Sequence, residues 1–217
     1  MRQYKYEYPR PALTADVIPL RWHKQELQVL LIRRAQEPFK DQWALPGGFV
    51  NENETPLLAA IRECAEETSI EALPEQMIEV ACFGTKDRDP RSWTVSIVFV
   101  ALLDSNAEAL AQDDAKEVCW YSWQKLVQGQ EDLAFDHQDM IDKAHALLQK
   151  ESLTSPKLLG LLEKPFRSRH ARHLYRQLWG DSISPRAFKA WLKKVDLVER
   201  SGRALYRAKS KLRLPWV

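Results

Sequence analysis

Cysteine, methionine and glycine are scarce in this chain, at 3, 3 and 7 among 217 residues. Cys64, Cys82 and Cys119 are odd in number and lack metal-ligand spacing. They argue against a disulfide framework or a thiolate metal site and fit reduced thiols in a cytoplasmic compartment. Long apolar runs are missing as well. The longest, Trp93 to Leu103, is interrupted by Thr94 and Ser96 and is about half the ~20 residues that a membrane-spanning helix requires. Residues Met1 to Glu7 carry no apolar stretch of the kind a signal peptide needs, so no membrane partner is expected. Internal repeats and low-complexity tracts are absent too. An excess of charge of one sign is also lacking, since 32 basic and 30 acidic side chains leave only +2.

That near-neutrality conceals a split. Residues 1–150 hold 16 Lys+Arg against 25 Asp+Glu, a balance of −9, whereas residues 151–217 hold 16 against 5, a balance of +11. An acidic body therefore precedes a basic segment. The sign changes at the polar stretch Gln149 to Pro156, which divides the chain into residues 1–152 and residues 153–217. With 45% hydrophobic residues and 8 tryptophans, the chain has enough apolar material for a packed core, and global disorder is excluded.

The body reads as α/β material. Ala15–Trp22 and Leu27–Arg34 flank a short polar turn and predict a hairpin. Glu79–Thr85, Trp93–Leu103 and Glu117–Trp123 are further strand candidates. Two segments have helical periodicity, Thr55–Thr68 and Asp136–Lys150, the second with Asp136 as N-cap and Met140, Ile141, Ala144, Leu147 and Leu148 on one face.

The most specific feature is the run from Pro46 to Ile70. At about 100° per residue, Leu57, Leu58, Ile61, Cys64 and Ala65 share one arc of the first helix, and Glu63, Glu66 and Glu67 lie opposite. Like charges so placed repel. A hard divalent cation such as Mg²⁺, which takes oxygen ligands and bridges carboxylates to phosphates, would relieve that conflict. Arg62 is placed to steer a carboxylate, and Gly47-Gly48 supplies a sharply turning backbone that exposes its polar groups. A solvated acidic face is the ordinary reading of such a cluster, but the spacing of Gly48, Glu54, Arg62-Glu63, Glu66-Glu67 and Ile70 favours a site.

That spacing resembles the Nudix box, with Ser69 standing where the family usually has glycine. If that position needs a positive φ, serine is strained there without loss of a ligand. The resemblance spans roughly residues 10–150. It implies an α/β/α sandwich that binds Mg²⁺ or Mn²⁺ and cleaves a diphosphate linked to another moiety. On that basis Glu63, Glu66, Glu67 and the Gly48 carbonyl are the expected metal site, with Glu63, Glu66, Glu67 and Arg62 as the catalytic set. Glu54 has a supporting role. The general base could also be Glu117 or Asp114.

Flanking residues, from Pro38 to Pro46, from Asp87 to Arg91 and from Leu133 to His137, resemble the Nudix branch that handles ADP-ribose. Phe39 or Trp43 would stack on adenine and Arg91 would meet phosphate. Core packing explains Trp43 equally well, loop anchoring explains Arg91, and Asp136 is sufficiently explained as a helix cap.

The basic segment has its own order. Ser168 is expected to cap a helix over Arg169–Trp179, Ser184-Pro185 opens a second helix, and Ser201-Gly202 turns a short ribbon. On the second helix Phe188, Trp191, Leu192 and Val195 oppose Arg186, Lys189 and Lys193. Helix, turn, basic helix and basic ribbon is the order of a winged helix-turn-helix, whose second helix enters the major groove. Arg167, Arg169, Arg186, Lys189, Lys193, Arg203 and Arg207 are the candidate DNA contacts, and the +11 balance suits a polyanion.

An α/β body followed by a basic winged helix resembles the Nudix-related transcriptional regulators that respond to ADP-ribose in NAD metabolism. The resemblance implies a cytoplasmic homodimer that binds a double-stranded DNA operator and ADP-ribose or a related nucleoside diphosphate. Members of that group often carry damaged boxes, whereas this box keeps every carboxylate and so retains the means to hydrolyse ADP-ribose to AMP and ribose 5-phosphate. The competing reading is a Mg²⁺-dependent pyrophosphatase whose C-terminal domain is only structural.

Overall fold

The computed structural model describes residues 6–181, 183–202 and 205–209. Its strands are β1 (Ala12–His23), β2 (Glu26–Arg34), β3 (Trp43–Ala44), β4 (Gly47–Phe49), β5 (Met77–Phe83), β6 (Thr94–Leu102), β7 (Ala115–Ser122), β8 (Phe166–Arg167), β9 (Val198–Gly202) and β10 (Leu205–Ala208). The helices are α1 (Pro56–Thr68), α2 (Trp123–Val127), α3 (His137–Thr154), α4 (Ser168–Trp179) and α5 (Pro185–Lys194). Every strand and helix expected from the pattern is present. The predicted hairpin is β1–β2, closed by Lys24 and Gln25 at φ 49° and 65°, as a tight two-residue turn requires.

The first seven strands form one mixed sheet in the order β3-β2-β1-β6-β5, with β4 on β1 and β7 on β2. Only β1 and β6 run parallel; the remaining pairs are antiparallel. Alternation along each strand sorts side chains to two faces. Ala15, Val17, Leu30, Phe99 and Ala101 pack with α1 residues Ala59, Ala60 and Cys64. Ile18, Leu20, Val29, Leu31, Val98 and Val100 pack with Trp123 and Leu126 of α2 and with Met140, Ile141, Ala144 and Leu148 of α3. The result is the expected α/β/α sandwich.

The buried face of α1 departs from expectation. Leu58 is half exposed, while Ala59, Ala60, Cys64, Glu67 and Thr68 are buried. Small residues at 59 and 60 let the helix approach the sheet closely, so the packed stripe is rotated from the arc of bulkier residues. Glu63 and Glu67 consequently border that stripe rather than oppose it, and Glu67 is carried inward.

Helix α3 continues to Thr154, two residues past the division expected at 152. Beyond it α4 and α5 follow each other closely, and β8, β10 and β9 form a three-stranded sheet. Ser168 begins α4 as its first residue, with Arg167 at the N-cap position. Ser184 caps α5 as expected, accepting from Ala187 N at 3.3 Å, with Pro185 in the first turn. Ala171, Leu174, Tyr175, Leu178, Phe188, Leu192, Leu197 and Tyr206 fill the interior and join the cluster on the α3 face of the sheet.

Candidate functional site

Two glycines shape the start of the site. A Cβ on Gly47 would overlap Asp16 and the Ala15 carbonyl, and one on Gly48 would overlap the Glu63 carboxylate. Only a bare backbone lets β4 lie against β1 and lets Glu63 fold onto it. Gly47 N–H donates to Glu67 Oε2 at 2.9 Å. Thr55 caps α1, accepting from Leu58 N at 3.3 Å, and aims the helix across the sheet. Ser69 ends it at φ 61°, the left-handed conformation that the family usually gives to glycine, with its N–H on Ala65 O and its Oγ donating to Leu110 O at 3.3 Å.

These elements wall a cleft of about 290 Å³ whose lining includes Asp16, Arg34, Gly48, Glu63, Glu67 and Arg88. Arg62 lies beside it as a hub. Its guanidinium donates to Glu54 at 2.6 and 3.1 Å, to Glu63 at 2.7 Å, to Glu66 at 2.9 Å and to the Phe49 carbonyl at 3.0 Å. The Arg62 hydrogen bonds and the Asn51 N–H hold the Glu54 carboxyl down to about 2, consistent with the supporting role expected for it. Glu66, expected as a metal ligand, is exposed, pairs with Arg62 and is not among the residues lining the cleft.

Glu67 has the opposite environment. It is 7% exposed, and no cation lies within ion-pair distance of it among the described residues. Burial pushes its carboxyl up to about 8 despite the Gly47 hydrogen bond, and nearby Glu63 and Asp16 add to the rise. Burial likewise raises Glu63, against the pull of Arg62. The glycine pair lies in strand β4 rather than in the sharp turn expected of it; a pair of desolvated carboxylates beside that bare backbone is an oxygen-donor set suited to a hard divalent ion. Among the described residues no three acidic, histidine or cysteine side chains form a ready-made cage.

The floor and far wall combine Asp16, which motif reading passed over, with residues of the Asp87 to Arg91 and Leu133 to His137 stretches. Asp16 is buried, accepts from Ser96 Oγ and lies 3.9 Å from His137 Nε2. His137 Nδ1 accepts from Leu45 N at 2.9 Å, and burial lowers its pKa against the pull of Asp16. Phe135, at φ 54°, has the Arg34 guanidinium 4.9 Å and the Arg91 guanidinium 5.6 Å from its ring centre. Arg91 lines the cleft and donates to Asp89 of its own loop through its side chain at 2.7 Å, a contact its loop-anchoring alternative also accounts for. Phe39 does not reach the lining; it packs behind Phe135 with ring centres 4.7 Å apart. Trp43 packs against the core, in line with its structural alternative. Of the two alternative bases, Asp114 lines the cleft, whereas Glu117 pairs with Arg33 outside it. Asp136 does not cap α3 with its side chain. Its carboxylate takes a bidentate pair from Arg88 at 2.7 and 2.9 Å, which corrects the capping assignment. Asp16 and Arg34 sit in ordinary strand contexts that no local pattern marks, whereas Arg88 falls within the Asp87 to Arg91 stretch without having been singled out.

On the C-terminal unit, Arg186, Lys189 and Lys193 are exposed along one face of α5, and Arg167, Arg169 and Arg207 are exposed nearby in the chain. Arg203 lies outside the described residues.

A glycine pair in close contact with a carboxylate-bearing helix, set in an α/β/α sandwich, defines a Nudix-type domain. The chain belongs to the NUDIX domain family, whose profile matches residues 10–144. It is also similar over almost its full length to the ADPR responsive transcriptional repressor NtrR of Acinetobacter baylyi, with 31% identity over 93% of this chain and 80% of that protein. An ADP-ribose pyrophosphatase of Methanocaldococcus jannaschii is 38% identical over 65% of this chain and 76% of its own length. Among solved structures, Shewanella oneidensis NrtR complexed with a 27mer DNA superposes with a TM-score of 0.73 at 29% identity, covering 91% of this chain and 93% of that one. No helix among the described residues is long and apolar enough to cross a membrane.

Proposed function

We propose that the chain is an ADP-ribose-responsive transcriptional regulator of NAD metabolism, built as a Nudix domain over residues 1–152 and a winged helix-turn-helix over residues 153–217. The observation that carries this reading is the union, in one packed chain, of an acid- and arginine-lined cleft with an exposed basic face on α5. The relatives named as an ADPR responsive repressor and as a DNA complex support both halves. Arg186, Lys189 and Lys193 would face the major groove, with Arg207 on the ribbon and Arg167 and Arg169 reaching phosphates; Arg203, outside the described residues, is proposed as a further contact. A homodimer matches the two-fold symmetry usual for operators, and the cytoplasm is where such a regulator works.

In the cleft, Arg34 and Arg91 would hold the diphosphate and Phe135 would supply an apolar face beside it. Glu63 and Glu67, with the Gly48 carbonyl and Glu66 at the rim, would hold Mg²⁺ or Mn²⁺. When bound, such an ion neutralises charge at phosphorus and acidifies water. Arg62 positions Glu63 by holding its carboxylate against β4. The intact carboxylate set, together with the resemblance to an ADP-ribose pyrophosphatase, supports hydrolysis of ADP-ribose to AMP and ribose 5-phosphate.

The test is a gel shift of duplex DNA from upstream of the chain's own gene, with and without ADP-ribose and Mg²⁺. Retardation that changes with ADP-ribose is expected, and no retardation at low salt overturns the regulator. AMP formation from ADP-ribose checks hydrolysis in the same preparation. AMP formation with no DNA binding would establish the competing pyrophosphatase with a structural C-terminal domain.

A further inference from the structure

Helix α3 joins the cleft to the basic unit, and each of its ends is tied by specific polar contacts. At the first end, Phe135 and His137 flank Asp136 and both line the cleft. The Arg88 side chain, only 4% exposed, also lines it and is paired with Asp136. His137 ties the first turn to Leu45 N, two residues before β4. At the far end, Gln149 Nε2 donates to Leu178 O at 2.8 Å and Trp179 Nε1 donates to Ser152 Oγ at 3.1 Å. Tyr175 Oη donates to the Ser152 carbonyl. All three partners lie on α4, the helix preceding α5. Between these ends Met140, Ile141, Ala144 and Leu148 are fully buried. The 18 residues of α3 span about 27 Å at 1.5 Å per residue.

The Arg88–Asp136 pair is the element that an entering ligand could rearrange. A buried guanidinium must keep a counter-charge, and a phosphate entering the cleft offers a second one beside Asp136. Asp136 is not stranded by the exchange. It occupies the N-cap position of α3, where its side chain makes no capping bond and where free N–H groups and the helix dipole stabilise a carboxylate. Both charges would therefore have partners before and after ligand entry, which is what a bound phosphate needs in order to select a second arrangement.

Resting on the regulator reading above, we propose that Arg88 reads the ligand by exchanging Asp136 for a ligand phosphate. The freed N-terminus of α3 then shifts the helix, and its Gln149, Ser152, Tyr175 and Trp179 contacts pass the shift to α4 and so to α5. Asp136 and Tyr175 are positioning residues in this scheme, since neither needs to touch ligand or DNA.

The test uses the full chain, ADP-ribose with Mg²⁺ and the duplex from upstream of its own gene. In the wild type, ADP-ribose should change duplex affinity by about 5-fold or more, within the usual span of allosteric coupling, and DNA should change ADP-ribose affinity by the same factor. Asp136→Asn should bind ADP-ribose at least as tightly, because Arg88 no longer has a full charge to surrender, yet its duplex affinity should change less than 2-fold on adding ligand. Tyr175→Phe combined with Gln149→Ala should bind each partner singly as the wild type does and lose the same coupling. Hydrogen exchange supplies a readout that does not need DNA. Protection of α4 amides should change on adding ADP-ribose in the wild type and stay unchanged in Asp136→Asn. Wild-type coupling that survives both sets of substitutions overturns the link. Amides of α4 that respond without any effect on DNA binding would uphold the link and overturn the regulator reading.

Discussion

Replacing Glu67 with glutamine should stabilise the metal-free protein, and do so increasingly as pH rises. Glu67 is 7% exposed, and burial with neighbouring Glu63 and Asp16 lifts its carboxyl from 4.5 to about 8. An unfolded chain ionises the same group near its ordinary value. Between those two values unfolding releases a proton, so the contribution is complete below about pH 4.5 and is lost as pH rises to about 8. At about 1.4 kcal/mol per pH unit, the difference sets a ceiling of about 5 kcal/mol. Relaxation of the cleft and entering water bring the expected effect to about 2 kcal/mol. Glutamine keeps an oxygen for Gly47 N–H but carries no charge. Urea unfolding in EDTA at pH 5, 7 and 9 measures the effect. The wild type should lose stability across this series relative to Glu67→Gln, and Mg²⁺ should restore it in the wild type alone. Parallel pH profiles, or a variant less stable than the wild type at pH 9, would refute the reasoning.

Three other substitutions probe separate parts of the chain. Ser69→Gly removes a left-handed serine at φ 61°, at the loss of one hydrogen bond to Leu110 O, and should raise stability by about 0.5–1 kcal/mol; denaturant midpoints with an unchanged rate of ADP-ribose hydrolysis check it. Gly48→Ala places a methyl on the Glu63 carboxylate and should lower hydrolysis about 100-fold, as small misplacements do, while circular dichroism stays native. The double change Arg186→Ala, Lys189→Ala should weaken duplex binding and reduce the salt slope of log K by about 1.8, near 0.9 per lost phosphate contact, with AMP formation unaffected.

Periodicity exposed much of the fold before any coordinate. The turn at Lys24-Gln25 and the Ser184-Pro185 helix start are local effects of chain chemistry, and both were legible; the left-handed Ser69 was suggested only by the glycine that the resembling family has there, and the Thr55 cap was not read. What local pattern could not supply was the rotation of α1. Ala59 and Ala60 look unremarkable beside Leu57 and Leu58, yet their small size lets the helix sit close to the sheet, which turns Leu58 outward and Glu67 inward. The site shows the same division. Its box carboxylates follow from spacing within one helix, whereas Asp16, Arg34, Arg88 and Phe135 converge from separate strands and loops. Asp136 illustrates the limit most clearly, because an aspartate before a helix is read as a cap until Arg88, 48 residues away, takes its carboxylate.

The opposed charges of body and tail suggest two independent modules, but their apolar contacts argue for one cooperative unit. A single buried cluster contains Ile18, Leu20 and Val29 of the sheet, Met140 and Leu148 of α3, and Phe166, Leu174, Leu178 and Phe188 of the C-terminal unit. Trp22 meets His173 edge-on with ring centres 5.6 Å apart, and Gln124 Nε2 donates to Arg176 O at 3.4 Å. Domains with separate cores unfold separately; domains that share one lose it together. Leu148 is fully buried within this cluster, so Leu148→Ala should destabilise by about 2–4 kcal/mol through lost contacts and a residual cavity. Calorimetry should record one endotherm in both proteins, shifted down as a whole in the variant, with the loss of DNA binding and of cleft function on heating falling on the same curve. Two endotherms, only one of them moved by Leu148→Ala, would show that the +11 segment is merely attached to the −9 body, and would leave α3 without the rigid seam through which it is argued to act.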